Sequence, residues 1–287
     1  MLSSFSRFLF LWLLSSFTKI INPNYLLIGI EIFVVIFIVV IILIYTTLYY
    51  KKRIYFFSKK IQEELEVWVM QAILDDLEPG EHFNIPKSFF RTIKSRVAKQ
   101  FVIDELIKTK KNLTDSASNN IIELYLQLDL KKVSLDKINH RKWYIRAKGI
   151  HELYFMQQMD TLSIIYENTN SKNEFVRMEA QNGMINMTGF DGLRFLDIVS
   201  YPITEWQQIK LLDQLKMREE DGYLAMHIPK WFLSKNDTVM IFALKLAGVY
   251  QQFAFHDPVV KCLTHKNPFV RIQTIKTLEI IDRKSVV

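Results

Sequence analysis

Apolar residues form one unbroken run near the start of the chain, and beyond it they recur at helical spacing. The run, Tyr25 to Tyr50, reads YLLIGIEIFVVIFIVVIILIYTTLYY and carries a single charge, Glu31. A bilayer core about 30 Å thick takes about 20 apolar residues in a helix. The run has no polar face, so residues 25–50 are expected to be a transmembrane helix, with Tyr45, Tyr49 and Tyr50 in an interfacial belt. Residues 1–24 hold a shorter patch, Phe8 to Leu14 behind Arg7, which is too short to cross and reads as an interfacial segment.

After the span, IQEELEVWVMQAILDDL places Leu65, Val69, Ile73 and Leu77 at every fourth position, the stripe of an amphipathic helix. EPGEHFNIP breaks that pattern, SFFRTIKSRVAKQFVIDELIKTKKN resumes it to about Lys111, and TDSASNN reads as a linker with a helix cap. Residues 51–117 are thus expected to be a basic juxtamembrane segment and a helical cap.

From residue 118 to 287 a unit recurs. NEFVRMEAQNGM and NPFVRIQTIKTL share Phe-Val-Arg, with Arg177 and Arg271 each four residues after an Asn, Asn173 and Asn267. YIRAKGIHEL supplies Arg146, NDTVMIFALKLA puts Met240 four residues after Asn236, and WQQIKLLDQLKM offers Lys210 as a weaker copy. The anchors 146, 177, 210, 240 and 271 are 31, 33, 30 and 31 residues apart. Gly149, Ala180, Ala243 and Thr274 stand three residues after their anchors, and Leu153, Met184, Ala247 and Leu278 seven after. Those offsets share one helical face, where small side chains admit a neighbouring helix. Shorter helices are expected between, over 162–167, 192–200, 223–233 and 258–263. No stretch alternates in the manner of paired strands.

The Asn-x-x-Val-Arg-x-x-Ala-x-x-x-Leu pattern resembles the second helix of a HEAT repeat, and the layout as a whole resembles membrane-anchored HEAT-repeat proteins of bacteria. The resemblance implies an all-α fold: a transmembrane helix, then a HEAT-like solenoid of about five helix pairs behind a helical N-terminal cap. It also implies that Arg146, Arg177 and Arg271 stack with neighbouring aspartates as a ladder, which Met240 interrupts. Asn173, Asn236 and Asn267 hold the place where the family usually has Asp.

Charge adds an orientation. Residues 1–50 carry +1, 51–150 carry +7 and 151–287 carry −1 of the net +7. Lys51, Lys52, Arg53, Lys59 and Lys60 directly follow the span, and basic flanks stay on the cytoplasmic side. A single-pass protein of the inner membrane is expected, its C-terminal bulk cytoplasmic and its basic flank against anionic lipid headgroups. Cys262 is the single cysteine and forms no internal disulfide, in keeping with a reducing compartment. The segment KKVSLDKINHRKWYIRAK, Lys131 to Lys148, is a second basic region, but the acidic balance beyond it argues against nucleic acid as the partner.

Catalytic patterns are not found. The six histidines form no His-Glu-x-x-His pair, and eight scattered glycines make no phosphate loop. His256, Cys262 and His265 are three ligand types close in sequence, where zinc takes about four. No metal, cofactor or catalytic residue is therefore expected. Trp143, Trp206 and Trp231 fall near helix ends, either as core or as protein-binding anchors. The expected function is a membrane-anchored scaffold or adaptor for a protein partner. Two rivals stand beside it: an accessory subunit of a membrane-embedded enzyme such as a glycosyltransferase, contacted through Glu31, and an enzyme with an unrecognised site.

Overall fold

The computed structural model describes residues 23–74, 82–113, 115–216, 222–250 and 253–285; all are helices and turns, with no strand among them. The patch Phe8–Leu14, Leu77 and the Pro79-Gly80 break lie outside the described residues. The chain divides into two compact units between Glu63 and Glu64.

In the first unit the described structure is one helix, α1 (Pro23–Leu74), whose last turns belong to the second unit. At 1.5 Å per residue its length is about 78 Å. Every large apolar side chain from Tyr25 to Ile44 is exposed, and its best 18-residue window has a mean hydropathy of 3.5 with none of it buried. Burying one such side chain gains about 1.5–3 kcal/mol, so leaving the run in water forgoes tens of kcal/mol. A helix satisfies its own backbone and can enter hydrocarbon; this one is long and apolar enough to cross a membrane. Thr46 and Thr47 return their hydroxyls to the carbonyl of Leu43, at 3.0 and 2.7 Å, so neither leaves a donor unmade.

The second unit begins with the end of α1. There Leu65 and Ala72 are buried while Ile73 is exposed. A step of four residues overshoots a helical turn by about 40°, so a stripe drawn at fours drifts off the buried face within two steps. Short α2 (Lys87–Thr92) leads to α3 (Arg96–Lys110) and α4 (Asp115–Gln127). Ser95 caps α3 by accepting from the Ala98 amide at 3.1 Å. The stretch read as a linker is helical from Asp115 on, because Asp, Ser and Asn suit a first helical turn as well as a loop. Asn120 there is buried and donates to the Ala72 carbonyl at 2.9 Å. Gln127 clamps both backbone groups of Phe83.

Beyond α4, short and long segments alternate. The long helices are α6 (Trp143–Phe155), α8 (Glu174–Thr188), α9 (Glu205–Leu215), α11 (Asp237–Val249) and α13 (Pro268–Ser285). Ahead of them come α5 (Lys131–Ile138), α7 (Leu162–Asn168), a 3-10 segment Gly189–Asp197, α10 (Tyr223–Trp231) and α12 (His256–Lys261). Each short element packs on a long one: α5 on α6, α7 and the 3-10 segment on α8, α10 on α11, α12 on α13. Long helices also pack on each other, α6 on α8, α8 on α9 and α11 on α13. One hydrophobic cluster runs from Ile138 to Val270, with Trp231, Phe195 and Phe242 among its largest fully buried side chains. The positions three residues past four of the five anchors are fully buried or close-packed: Ala180, Ala243 and Thr274 are 0% exposed. A Cβ on Gly149 would lie 2.9 Å from the Ser134 carbonyl of α5.

Candidate functional site

Four of the five long helices start on a side-chain cap, and α6, which follows Lys142, does not. Asn173, Thr204 and Asn236 cap α8, α9 and α11 through side-chain oxygens that accept from Val176, Gln207 and Thr238 amides at 3.1–3.3 Å. Asn267 accepts from the Phe269 amide at 2.9 Å. Two residues before the cap, a side chain accepts the cap's own amide: His140 from Lys142, Ser234 from Asn236 and His265 from Asn267, at 3.1–3.2 Å.

Four residues after the cap sits the anchor. Arg177 donates through Nη1 to the carbonyls of Ser171 and Lys172 at 2.8 and 3.0 Å. Arg271 repeats this on His265 and Lys266 at 2.8 and 3.1 Å, and Arg146 reaches the His140 carbonyl through Nη2 at 3.2 Å. In α9 the equivalent residue is Gln208, not Lys210. Gln208 is buried and donates to the carbonyls of Ile203 and Thr238 at 3.1 and 3.3 Å, whereas Lys210 lies two residues on and is exposed. The anchors therefore pin the turn ahead of their own helix. Among the described residues neither Arg177 nor Arg271 pairs with an aspartate; Arg177 stacks 4.4 Å from the Tyr201 ring instead. The links between successive turns are made by other groups: Asn267 to Asp237 at 2.7 Å, Ile203 amide to Thr238 at 2.9 Å, and Ser200 amide to Asn170 at 2.9 Å.

Two residues after the cap the chain repeatedly puts an aromatic ring in solvent. Tyr144, Phe175, Trp206 and Phe269 are 52, 56, 69 and 69% exposed. Trp143 stacks on Phe175 with ring centroids 4.8 Å apart, which joins the starts of α6 and α8. One turn on, Ile209 and Ile272 are exposed beside Trp206 and Phe269. Thr238 holds this place in α11. Trp231, by contrast, is core: it is 1% exposed and its Nε1 donates to Asp197 at 2.9 Å.

Two charged clusters lie in the same helices. His151 Nδ1 and the Tyr154 hydroxyl both meet Glu179 Oε1, at 2.6 and 2.7 Å. Burial opposes the Glu179 charge, but these two hydrogen bonds and the charges of His151 and Lys210 outweigh it and hold the carboxyl below its ordinary range. Burial first, then Glu179, pushes the Tyr154 hydroxyl up. Deeper, Glu152 is 0% exposed and accepts from Lys137 Nζ at 2.6 Å, Ser134 Oγ at 2.6 Å and Gln100 Nε2 at 2.8 Å. Tyr125 donates to Ser134 at 3.0 Å, extending the network to α4. Burial pulls the Lys137 ammonium below the usual lysine value, against the pull of Glu152. Linear spacing gave no hint of this network, because its members come from α3, α4, α5 and α6.

His256, Cys262 and His265 face different partners. His256 meets Asp257 and Asp282 at 3.3 Å, Cys262 donates to the Pro258 carbonyl, and His265 turns to Asn267. No group of three or more His, Cys, Asp or Glu side chains with metal-binding geometry occurs among the described residues. Burial pushes the Cys262 thiol up. On α1, Glu31, Lys51, Lys52, Arg53, Lys59 and Lys60 are all exposed; Lys52 lies 5.9 Å from the Phe56 ring and Lys59 faces Glu63 at 3.9 Å.

No family model matches the chain, and no curated protein matches it. Among solved structures, the chain is similar to an engineered protein from the Northeast Structural Genomics Consortium, at 12% identity over 79% of this chain and 90% of that one, with a TM-score of 0.25.

Proposed function

We propose that the chain is a membrane-anchored helical-repeat adaptor, resembling HEAT-repeat proteins, that holds a protein partner at the cytoplasmic face of the inner membrane. In this reading Tyr25–Tyr50 crosses the bilayer, and Lys51, Lys52, Arg53, Lys59 and Lys60 meet anionic headgroups, each contributing about 1 kcal/mol. The five short–long pairs stack as a solenoid, so that each buries its core only against neighbours. The near-constant step of the caps Lys142, Asn173, Thr204, Asn236 and Asn267 supports that arrangement.

One observation carries the binding role: the row of exposed rings at a fixed offset from the cap, Tyr144, Phe175, Trp206 and Phe269. Solvent-exposed aromatics repeated in register leave apolar surface in water, even where Phe175 stacks on Trp143. Aromatic anchors are what protein interfaces concentrate.

The test is a gentle-detergent capture of the full-length chain beside Phe175→Glu and Trp206→Glu variants, followed by mass spectrometry. Both residues are exposed, so folding should survive. A partner recovered with the wild type and lost with both variants is the expected outcome. Recovery of the same partner with all three chains would overturn the role of this face.

A further inference from the structure

The basic segment Lys131–Lys148, of which the adaptor reading uses only the cap Lys142 and the ring of Tyr144, borders a cavity. Helices α3, α5 and α6 border an open cavity of about 630 Å³. Its wall is apolar: Val97, Phe101, Tyr144 and Ile145, with Val97 67% exposed. Its charged lining comprises Arg96, Lys137 and Lys148 against a single carboxylate, Asp104.

Each cation stands differently. Lys137 lies at the floor, 7% exposed and held by Glu152. Lys148 bonds Asp104 at 2.9 Å where both are about half exposed, and Arg96 is 3.9 Å from Asp136 with both more than half exposed. Exposed pairs of this kind are worth little, so both side chains can turn to a stronger anion. His140 also lines the cavity. Its Nδ1 accepts from the Lys142 amide, which leaves the proton on Nε2 as a donor.

We propose that this cavity binds a single-chain anionic amphiphile: an apolar body against Val97, Phe101 and Ile145, and one carboxylate or phosphate head against Arg96, His140 and Lys148. The volume is that of a small-molecule site, in which mostly apolar walls supply contact and a few polar groups fix the orientation. A bare anion would leave the apolar wall in water. An uncharged chain would leave Arg96 and Lys148 with no more than their weak, exposed pairs. Both halves of the ligand are therefore required.

The test uses the full-length chain in phosphatidylcholine nanodiscs, titrated calorimetrically, with the heat for empty discs subtracted. The probes are octyl phosphate, octanoate, octanol and inorganic phosphate. Saturable one-to-one binding is expected for octyl phosphate, octanoate or both, about tenfold or more tighter than for octanol or inorganic phosphate. Whichever anionic probe saturates identifies the head group. Val97→Glu and Arg96→Glu, both at exposed positions, should each weaken binding about tenfold, and circular dichroism reports whether each has folded. Lys132→Glu removes a nearby exposed lysine that is outside the cavity and should change affinity less than about twofold. Equal binding of octanol, equal binding of inorganic phosphate, or wild-type affinity in the folded variants would overturn the proposal.

Discussion

At the scale of single residues, the costliest commitment in the fold is Glu152. Its carboxylate is fully buried, and Lys137, Ser134 and Gln100 all donate to it. Removing one partner of a buried ion pair leaves the other unpaired in low dielectric, at a cost of about 3–5 kcal/mol. Glu152→Ala is thus expected to lower the unfolding free energy by that amount, read as a lower urea midpoint with an unchanged m-value. Replacing the pair together, Glu152→Leu with Lys137→Met, should recover much of it. Glu179 makes a second, pH-dependent contribution. Its folded-state pKa is depressed from 4.5, so the stabilisation is present above that value and is lost as pH falls through the lower folded one. The stability gap between wild type and Glu179→Gln should be open at pH 6 and shrink steadily below about 4.5; a gap that widened there would contradict the assignment.

At the scale of elements, helix starts were legible and helix partners were not. Asn173, Asn236 and Asn267 stood out in the sequence as repeat markers, and the fold shows their local job: each accepts a backbone amide within its own turn. The third copy slipped by two residues because Thr204 and Gln208 do the same work with different side chains. The exposed rings were already visible in the Phe of each Phe-Val-Arg, but whether they face core or water depends on neighbours far along the chain. Among the short elements, α7 and α10 start where expected, at Leu162 and Tyr223, and the one expected over 192–200 departs furthest. The segment Gly189–Asp197 winds as 3-10 helix and lies against the backbone of α8, where a Cβ on Gly192 would sit 2.6 Å from the Met184 carbonyl. Backbone does not yield to a methyl group as a flexible side chain does, so Gly192→Ala should cost about 1–3 kcal/mol, read as a loss of thermal stability. A neutral result would mean that this contact is looser than its geometry.

At the scale of the whole molecule, the proposed membrane attachment combines two physically different anchors in one helix, and they can be told apart. In that proposal the basic flank, Lys51 to Lys60, attaches by charge; its five cations would amount to about 5 kcal/mol at low salt. In 1 M salt the Debye length falls to about 3 Å, and that attraction is largely screened. The apolar run from Tyr25 to Ile44 holds by burial, worth tens of kcal/mol, and salt does not weaken it. The long apolar helix was legible, since hydropathy needs no knowledge of partners, whereas the amphiphile cavity was not, because Arg96 and Lys148 meet only in the fold. Membranes carrying the full chain, washed in turn with 1 M salt and alkaline carbonate, should keep it in the pellet through both washes and release it to detergent alone. Replacing the five basic residues with serine should leave that result unchanged, because the span suffices. Release by salt would mean that the flank is the working anchor and that the exposed apolar helix is covered by protein rather than lipid.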